Sequence, residues 1–378
     1  MKKPFYQLEQ MTHLIRHFTP NWFTVTMGTG VVALILPELP FAHSIMAHLA
    51  VLLWQFNIAL FLMFSLLYVL RWIIYPTEAK QIFSHASMSL FLGAIPMALA
   101  TIINGYLKFG IHLYGDWVVP FAQLLWYIDV LLAVSIAWIV PFYMYNRQQH
   151  ELQSMTAVWL LPIVACEVAA ATGGLLLPHI AVGQQALGIL LGGYVLWGIS
   201  VLPAFAILTI LMLRLALHKL PSKELAISSW LALGPIGTGA LALLILGAQA
   251  PQVLAVIDQQ SLGLFCQQAG IVVSLILMGF GLWWLGIAVL TTLKHAKTAL
   301  PFNLGWWGLT FPLGVFTLAV LNLAQQLHVS FIQSIGYALA VILIMLWLVV
   351  VTKTAQGFYR GSLFLSPCLK SYLEQRQS

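Results

Sequence analysis

Ten stretches of the chain are apolar over about 18 residues or more, the length at which an α-helix crosses the hydrocarbon core of a bilayer. They cover residues 21–38, 46–71, 86–107, 118–145, 155–177, 186–214, 225–248, 262–292, 303–325 and 329–352. Runs such as 339–351 do not alternate apolar and polar side chains, so a transmembrane barrel is excluded. With 61% hydrophobic and 7% charged residues among 378, the chain reads as an all-α polytopic membrane protein. Its parts are an N-terminal segment 1–20, a ten-helix transport domain 21–353 and a C-terminal tail 354–378.

Orientation follows from the basic residues, because loops kept on the cytoplasmic side retain Lys and Arg. With the N-terminus inside, Lys2, Arg71, Arg147, Arg214, Lys353, Arg376 and nine others of the sixteen fall on the cytoplasmic side; Lys108 alone falls outside. Both termini are therefore expected in the cytoplasm. The net charge of +6 is read as a topology signature toward the lipid bilayer, with no nucleic-acid partner. The first twenty residues lack an apolar core, so no cleavable leader is expected.

The odd spans differ in kind from the even ones. Pro96, Pro162, Pro235 and Pro312 recur at intervals of 66, 73 and 77 residues in spans 3, 5, 7 and 9, and span 1 carries Gly28 and Gly30. Interior prolines and glycines break or kink a membrane helix, at a cost tolerated where protein or a cavity surrounds it. Odd helices are thus expected inside, kinked mid-span, and the bulkier even helices outside. The simplest arrangement is five sequential helical hairpins around a central pore, related by rotation about the membrane normal. Tight packing by small residues is the competing reading.

Two acids lie at membrane depth, Asp129 on span 4 and Glu167 on span 5, where a charge costs about 2.5–3.5 kcal/mol. Five residues past each proline stand Thr101, Glu167, Ala240 and Thr317, which suggests a polar layer with a proton-linked role for Glu167. A bond to a neighbouring helix is the alternative for Glu167, and the preferred one for Asp129. Thr29, Thr172, Thr238 and Thr310 accompany the breaks and either offer donors to an anion or cap freed carbonyls. Thr19 and Asn303 read as N-caps, and His85 opens span 3. The three cysteines have no paired spacing, and no hydrolase, metalloprotease or phosphate-loop motif occurs; neither metal nor cofactor is expected. A membrane-embedded enzyme or lipid-handling protein using Asp129 and Glu167 is the alternative to a conduit.

The segment HFTPNWFTVTMGTG, His17 to Gly30, resembles the start of the tellurite-resistance/dicarboxylate transporter family, which includes plant slow anion channels, a fungal malic acid permease and a fungal sulfite efflux pump. HASMSLFLGAIPMALATIIN, His85 to Asn104, and WWGLTFPLG in span 9 are similar to the same family's later repeats. FTPNWF and SLFLG stand nearer its malate and sulfite branch. The resemblance implies five hairpins around a pore, a homotrimer in the plasma membrane, and transport of small inorganic or carboxylate anions such as malate, sulfite or tellurite-type oxyanions. It also implies a pore plugged by a phenylalanine, for which the matching residue is Phe311.

Overall fold

The computed structural model describes residues 3–8, 10–297, 300–364 and 366–377; Lys2 and the side chain of Arg376 lie outside that set. Its principal helices are α1 (Phe23–Ile35), α2 (His43–Ile74), α3 (Ala94–Gly105), α4 (Val118–Asn146), α5 (Leu161–Leu176), α6 (Gln184–His218), α7 (Leu233–Leu254), α8 (Gln260–Ala296), α9 (Phe311–Leu327), α10 (Ser330–Arg360) and α11 (Pro367–Gln377). Among the described residues, nine helical stretches are long and apolar enough to cross a membrane, one fewer than expected. The missing one is the first: α1 has only thirteen residues, and the 3-10 turns that flank it at Pro20–Trp22 and Leu36–Glu38 bring in Pro20, Asn21, Pro37 and Glu38.

A 3-10 segment also leads into each of the other odd helices: Ser89–Gly93 before α3, Ala157–Leu160 before α5, Ala226–Ala232 before α7 and Leu304–Leu309 before α9. This corrects the expected position of the kinks. Pro162 and Pro312 are the second residues of their α-helices, and Pro96 and Pro235 the third. In the first α-helical turn the missing N–H of proline leaves little unsatisfied, so the recurring prolines mark the change from 3-10 to α rather than a mid-helix break. Interior prolines do occur, at Pro141 of α4, Pro203 of α6 and Pro251 of α7. Nor is α1 interrupted at Gly28 or Gly30. A Cβ at Gly28 would come within 2.1 Å of Thr310 Oγ1, and one at Gly30 within 2.1 Å of Thr101 Oγ1, so both glycines let neighbouring helices close in.

All thirteen residues of α1 are buried. In the stretches containing α3, α5, α7 and α9 the most apolar window is 50–94% buried, against 22–33% for the even helices, which separates an inner set from an outer one. The inner helices close a ring: α1 packs on α3, α3 on α5, α5 on α7, α7 on α9 and α9 on α1. Their 3-10 lead-ins touch in the same cyclic order. Each outer helix lies against its own inner helix and the next one, with α10 reaching back to α1. With the apolar flanks of the outer helices free to meet acyl chains, the backbone of the inner ring satisfies its hydrogen bonds within protein.

The C-terminal boundary is also later than expected, because α10 runs to Arg360 and ends at Gly361 in the left-handed conformation. The segment beyond it folds back on the lead-in end of the ring. Arg71, fully buried at the end of α2, donates to the Phe18 carbonyl (2.6 Å) and reaches Ser366 Oγ (3.4 Å), while Phe364 stacks on Trp22. At the opposite end Lys108 pairs with Glu38 and donates to the Leu34 carbonyl.

Candidate anion pathway

The five 3-10 lead-ins surround a vestibule of about 350 Å³. Every repeat contributes to its wall: Asn21 and Thr24 from the first, Phe91 from the second, Thr156 from the third, Ser228 from the fourth, Asn303 and Gly308 from the fifth. His150, Glu224 and Pro367 complete the rim. Its inner floor is apolar, with Met27, Leu161 and Leu231. A second hollow of about 390 Å³, bounded by residues such as Leu36, Leu53 and Leu348, opens outside the ring between α2 and α10 and is lined by apolar residues apart from the Trp347 indole.

Among the described residues, no Lys or Arg side chain lines the vestibule. The amino ends of the five inner helices converge there, and each helix N-terminus carries about half a positive charge, while Glu224 on the rim is acidic. Three lead-ins are locally capped. Asn303 Oδ1 accepts from Gly305 N–H (2.8 Å), as its place before span 9 suggested, and Thr156 Oγ1 from Val158 N–H (3.4 Å). His85 Nδ1 accepts from Ser87 N–H (3.2 Å) and Met88 N–H (3.1 Å). Thr19 does not cap: its hydroxyl donates to Asn21 Oδ1 (2.6 Å).

The His85 cap requires neutral imidazole, and burial pushes the ring below the ordinary histidine value. Its stabilisation is therefore whole above about pH 6.5 and is lost as the pH falls through the lowered value. Thermal midpoints in detergent between pH 7.5 and 5 should fall in the natural protein, and His85→Asn, which caps without titrating, should flatten that part of the slope. An unchanged slope in His85→Asn would rule the cap out as its origin.

The residues just before the recurring prolines are Ile95, Leu161, Gly234 and Phe311. Leu161 lies in the vestibule floor, and Gly234, although buried, has open space where a Cβ would stand. Phe311 occupies the same place before Pro312 and is 3% exposed. Thr101, Glu167, Asp129 and Thr317 do not line the vestibule. Thr101 meets Gly30 and accepts from Asn57 Nδ2 of α2 (3.4 Å); Thr317 donates to the Leu313 carbonyl (2.7 Å). Glu167 faces α6 and α7, where Ser200 approaches it short of a well-formed hydrogen bond and a Cβ on Gly239 would lie 3.4 Å from Oε2. Asp129 is buried on the face of α4 turned to α5, within electrostatic reach of Cys166. The position five past the proline thus points toward the outer helices, because six residues at 100° each place it about 240° from the pre-proline residue.

The intramembrane hydroxyls mostly serve the backbone. Thr310 donates to the Trp307 carbonyl (2.7 Å), and Thr29 accepts from the Trp347 indole (3.3 Å). Thr172 and Thr238 have buried hydroxyls with no partner among the described residues. Among the described residues no three or more His, Cys, Asp or Glu gather as a metal site.

A closed ring of buried helices whose amino ends surround a vestibule is an architecture of membrane transport proteins. Residues 17–355 match the SLAC1 family, described as voltage-dependent anion channels, and the chain belongs to that family. The sulfite efflux pump SSU1 of Arthroderma benhamiae is 36% identical to it over 352 residues, 93% of each chain. The malic acid transport protein of Schizosaccharomyces pombe is 24% identical over 369 residues, 95% of this chain and 82% of its own. These are transporters in the branch that the first-span motif resembles.

Proposed function

We propose that the protein conducts small oxyanions along the axis of a ten-span ring of five hairpins, with 20–38 as the first span. The vestibule opens to the cytoplasm in this reading, which agrees with the distribution of Lys and Arg. Sulfite is the foremost substrate because a sulfite efflux pump shares 36% identity over nearly the full chain; four-carbon dicarboxylates such as malate come second. Phe311 is the plug, and the plasma membrane and a homotrimer are the setting that the family resemblance implies.

The observation that carries the pore is Gly234, buried in the ring yet open to empty space, on the register shared by Phe311. Anion preference follows from the five helix amino ends, each contributing about 0.3–1 kcal/mol to a nearby negative charge. Glu167 faces away from that register, so a proton-linked step through it has no support in the geometry.

Purified protein in proteoliposomes provides the test. Under a salt gradient the reversal potential should follow the anion, and sulfite should cross faster than malate. Cation-following potentials, or no flux of either anion, would defeat the proposal.

A further inference from the structure

Tryptophans recur on the outer helices at Trp54, Trp126, Trp197 and Trp347, separated by 72, 71 and 150 residues. The first three reach across to the inner helix of the following hairpin. Trp54 Nε1 donates to the Ile102 carbonyl (3.2 Å), Trp126 to Ala169 (2.8 Å) and Trp197 to Gly239 (3.0 Å). Trp347 closes the circle on Thr29 of α1. Three residues after each indole stands a buried side chain turned to the ring: Asn57, Asp129, Ser200 and Val350.

The interval of 150 is two periods, and the outer helix it skips is α8. There Ser274 occupies the buried place and donates to the Ala240 carbonyl of its own hairpin (3.1 Å), and three residues before it, at the sequence offset of the indoles, stands the half-buried Ile271. Isoleucine has no N–H to offer. Consequently α9, which carries Phe311, is the inner helix left without an indole tether from the preceding hairpin. Midway along α9 its contacts with hairpin four are sockets: the Phe316 ring sits on Gly281, where a Cβ would come within 2.2 Å, and the Phe316 backbone sits on Gly237.

A second feature sets α9 apart. At the other four junctions the residue between 3-10 and α segments is helical, with ψ between −20° and −28°, but Thr310 has φ −100° and ψ −72°. The helix is distorted immediately before Phe311, although Thr310 N–H still donates to the Trp307 carbonyl (3.1 Å) and the Thr310 carbonyl accepts from Gly314 N–H (2.8 Å). Its two ends are held, by Trp307 Nε1 on Thr354 Oγ1 (3.0 Å) and by Gln326 Nε2 on the Leu244 carbonyl (3.1 Å). A directional hydrogen bond at membrane depth, where no water competes, fixes a helix in register; a ring on a glycine allows it to turn or slide.

We infer that α9 is the moving stave of an otherwise tethered ring, hinged at Thr310, and that Ile271 in place of tryptophan is what frees it. This rests on the reading of Phe311 as plug for its effect on flux, but not for the motion itself. The full-length protein in lipid nanodiscs is followed by amide hydrogen exchange, alongside anion flux in proteoliposomes. Amides in the middle of α9 should exchange about tenfold faster than those of α5. Ile271→Trp should slow α9 alone and lower flux about fivefold, whereas Ile271→Phe, aromatic but without a donor, should leave both near the natural values. Trp197→Phe, a milder change, should raise exchange in α7 toward that of α9. Equal exchange in α9 and α5, or identical effects of Trp and Phe at 271, would overturn the inference. Slowed α9 exchange with unaltered flux would uphold the motion and remove Phe311 as the plug instead.

Discussion

Phe311→Ala is expected to raise anion flux about tenfold or more, which corresponds to lowering the barrier by about 1.4 kcal/mol. The ring is buried at the junction of the 3-10 and α segments of span 9. In the other three proline-bearing repeats the equivalent places hold Ile95, Leu161 and Gly234, so Phe311 is the bulkiest of the four. An apolar constriction stops ions by excluding the water they carry, and removing the ring from a layer that already opens at Gly234 admits that water. Single-channel or ensemble currents in planar bilayers are the measurement. Currents equal to those of the natural protein would mean that the narrowest point lies elsewhere.

Gly93→Ala is expected to prevent the ring from closing. The added carbon would stand 2.2 Å from the Leu161 carbonyl oxygen and 2.9 Å from Pro162 Cα, and these are main-chain atoms of α5 that cannot rotate away. Separating α3 from α5 by the needed distance costs about 3 kcal/mol, at the upper end of what overpacking usually exacts. The thermal midpoint in detergent should drop sharply and the yield of monodisperse protein with it. Gly234→Ala is the matched control: it sits one repeat position from the same seam, meets open space, and should keep or slightly improve the midpoint by removing backbone freedom from the unfolded chain. If both variants melt alike, close approach at Gly93 is not what holds these helices together.

How a membrane protein of this kind can be read depends on which property is asked for. The apolar runs, the unequal distribution of Lys and Arg and the motif at His17 to Gly30 are one-dimensional, and they point to the membrane class and the family without coordinates. The distinction between inner and outer helices was also legible, because Gly and Pro collect where backbones approach. The tryptophan interval was present as well, at 72, 71 and twice 75 residues, though its meaning was not.

The orientation of each side chain around its helix was another matter. Glu167 shares a repeat position with Thr101 and Thr317 and seemed to mark a polar layer, yet it faces Ser200 and Gly239, away from the axis. The recurring prolines seemed to mark kinks, yet they start α-helices, because 3-10 lead-ins lengthen each inner span at the vestibule end. The chain by itself determined that long apolar helices must seek lipid on one flank and one another on the other, since transfer of apolar surface and internal pairing of backbone groups depend on composition and length. Only the tertiary structure decided which face of each helix became the interior, because rotation about a helix axis costs nothing until neighbours such as Trp126 on Ala169 or Trp197 on Gly239 arrest it.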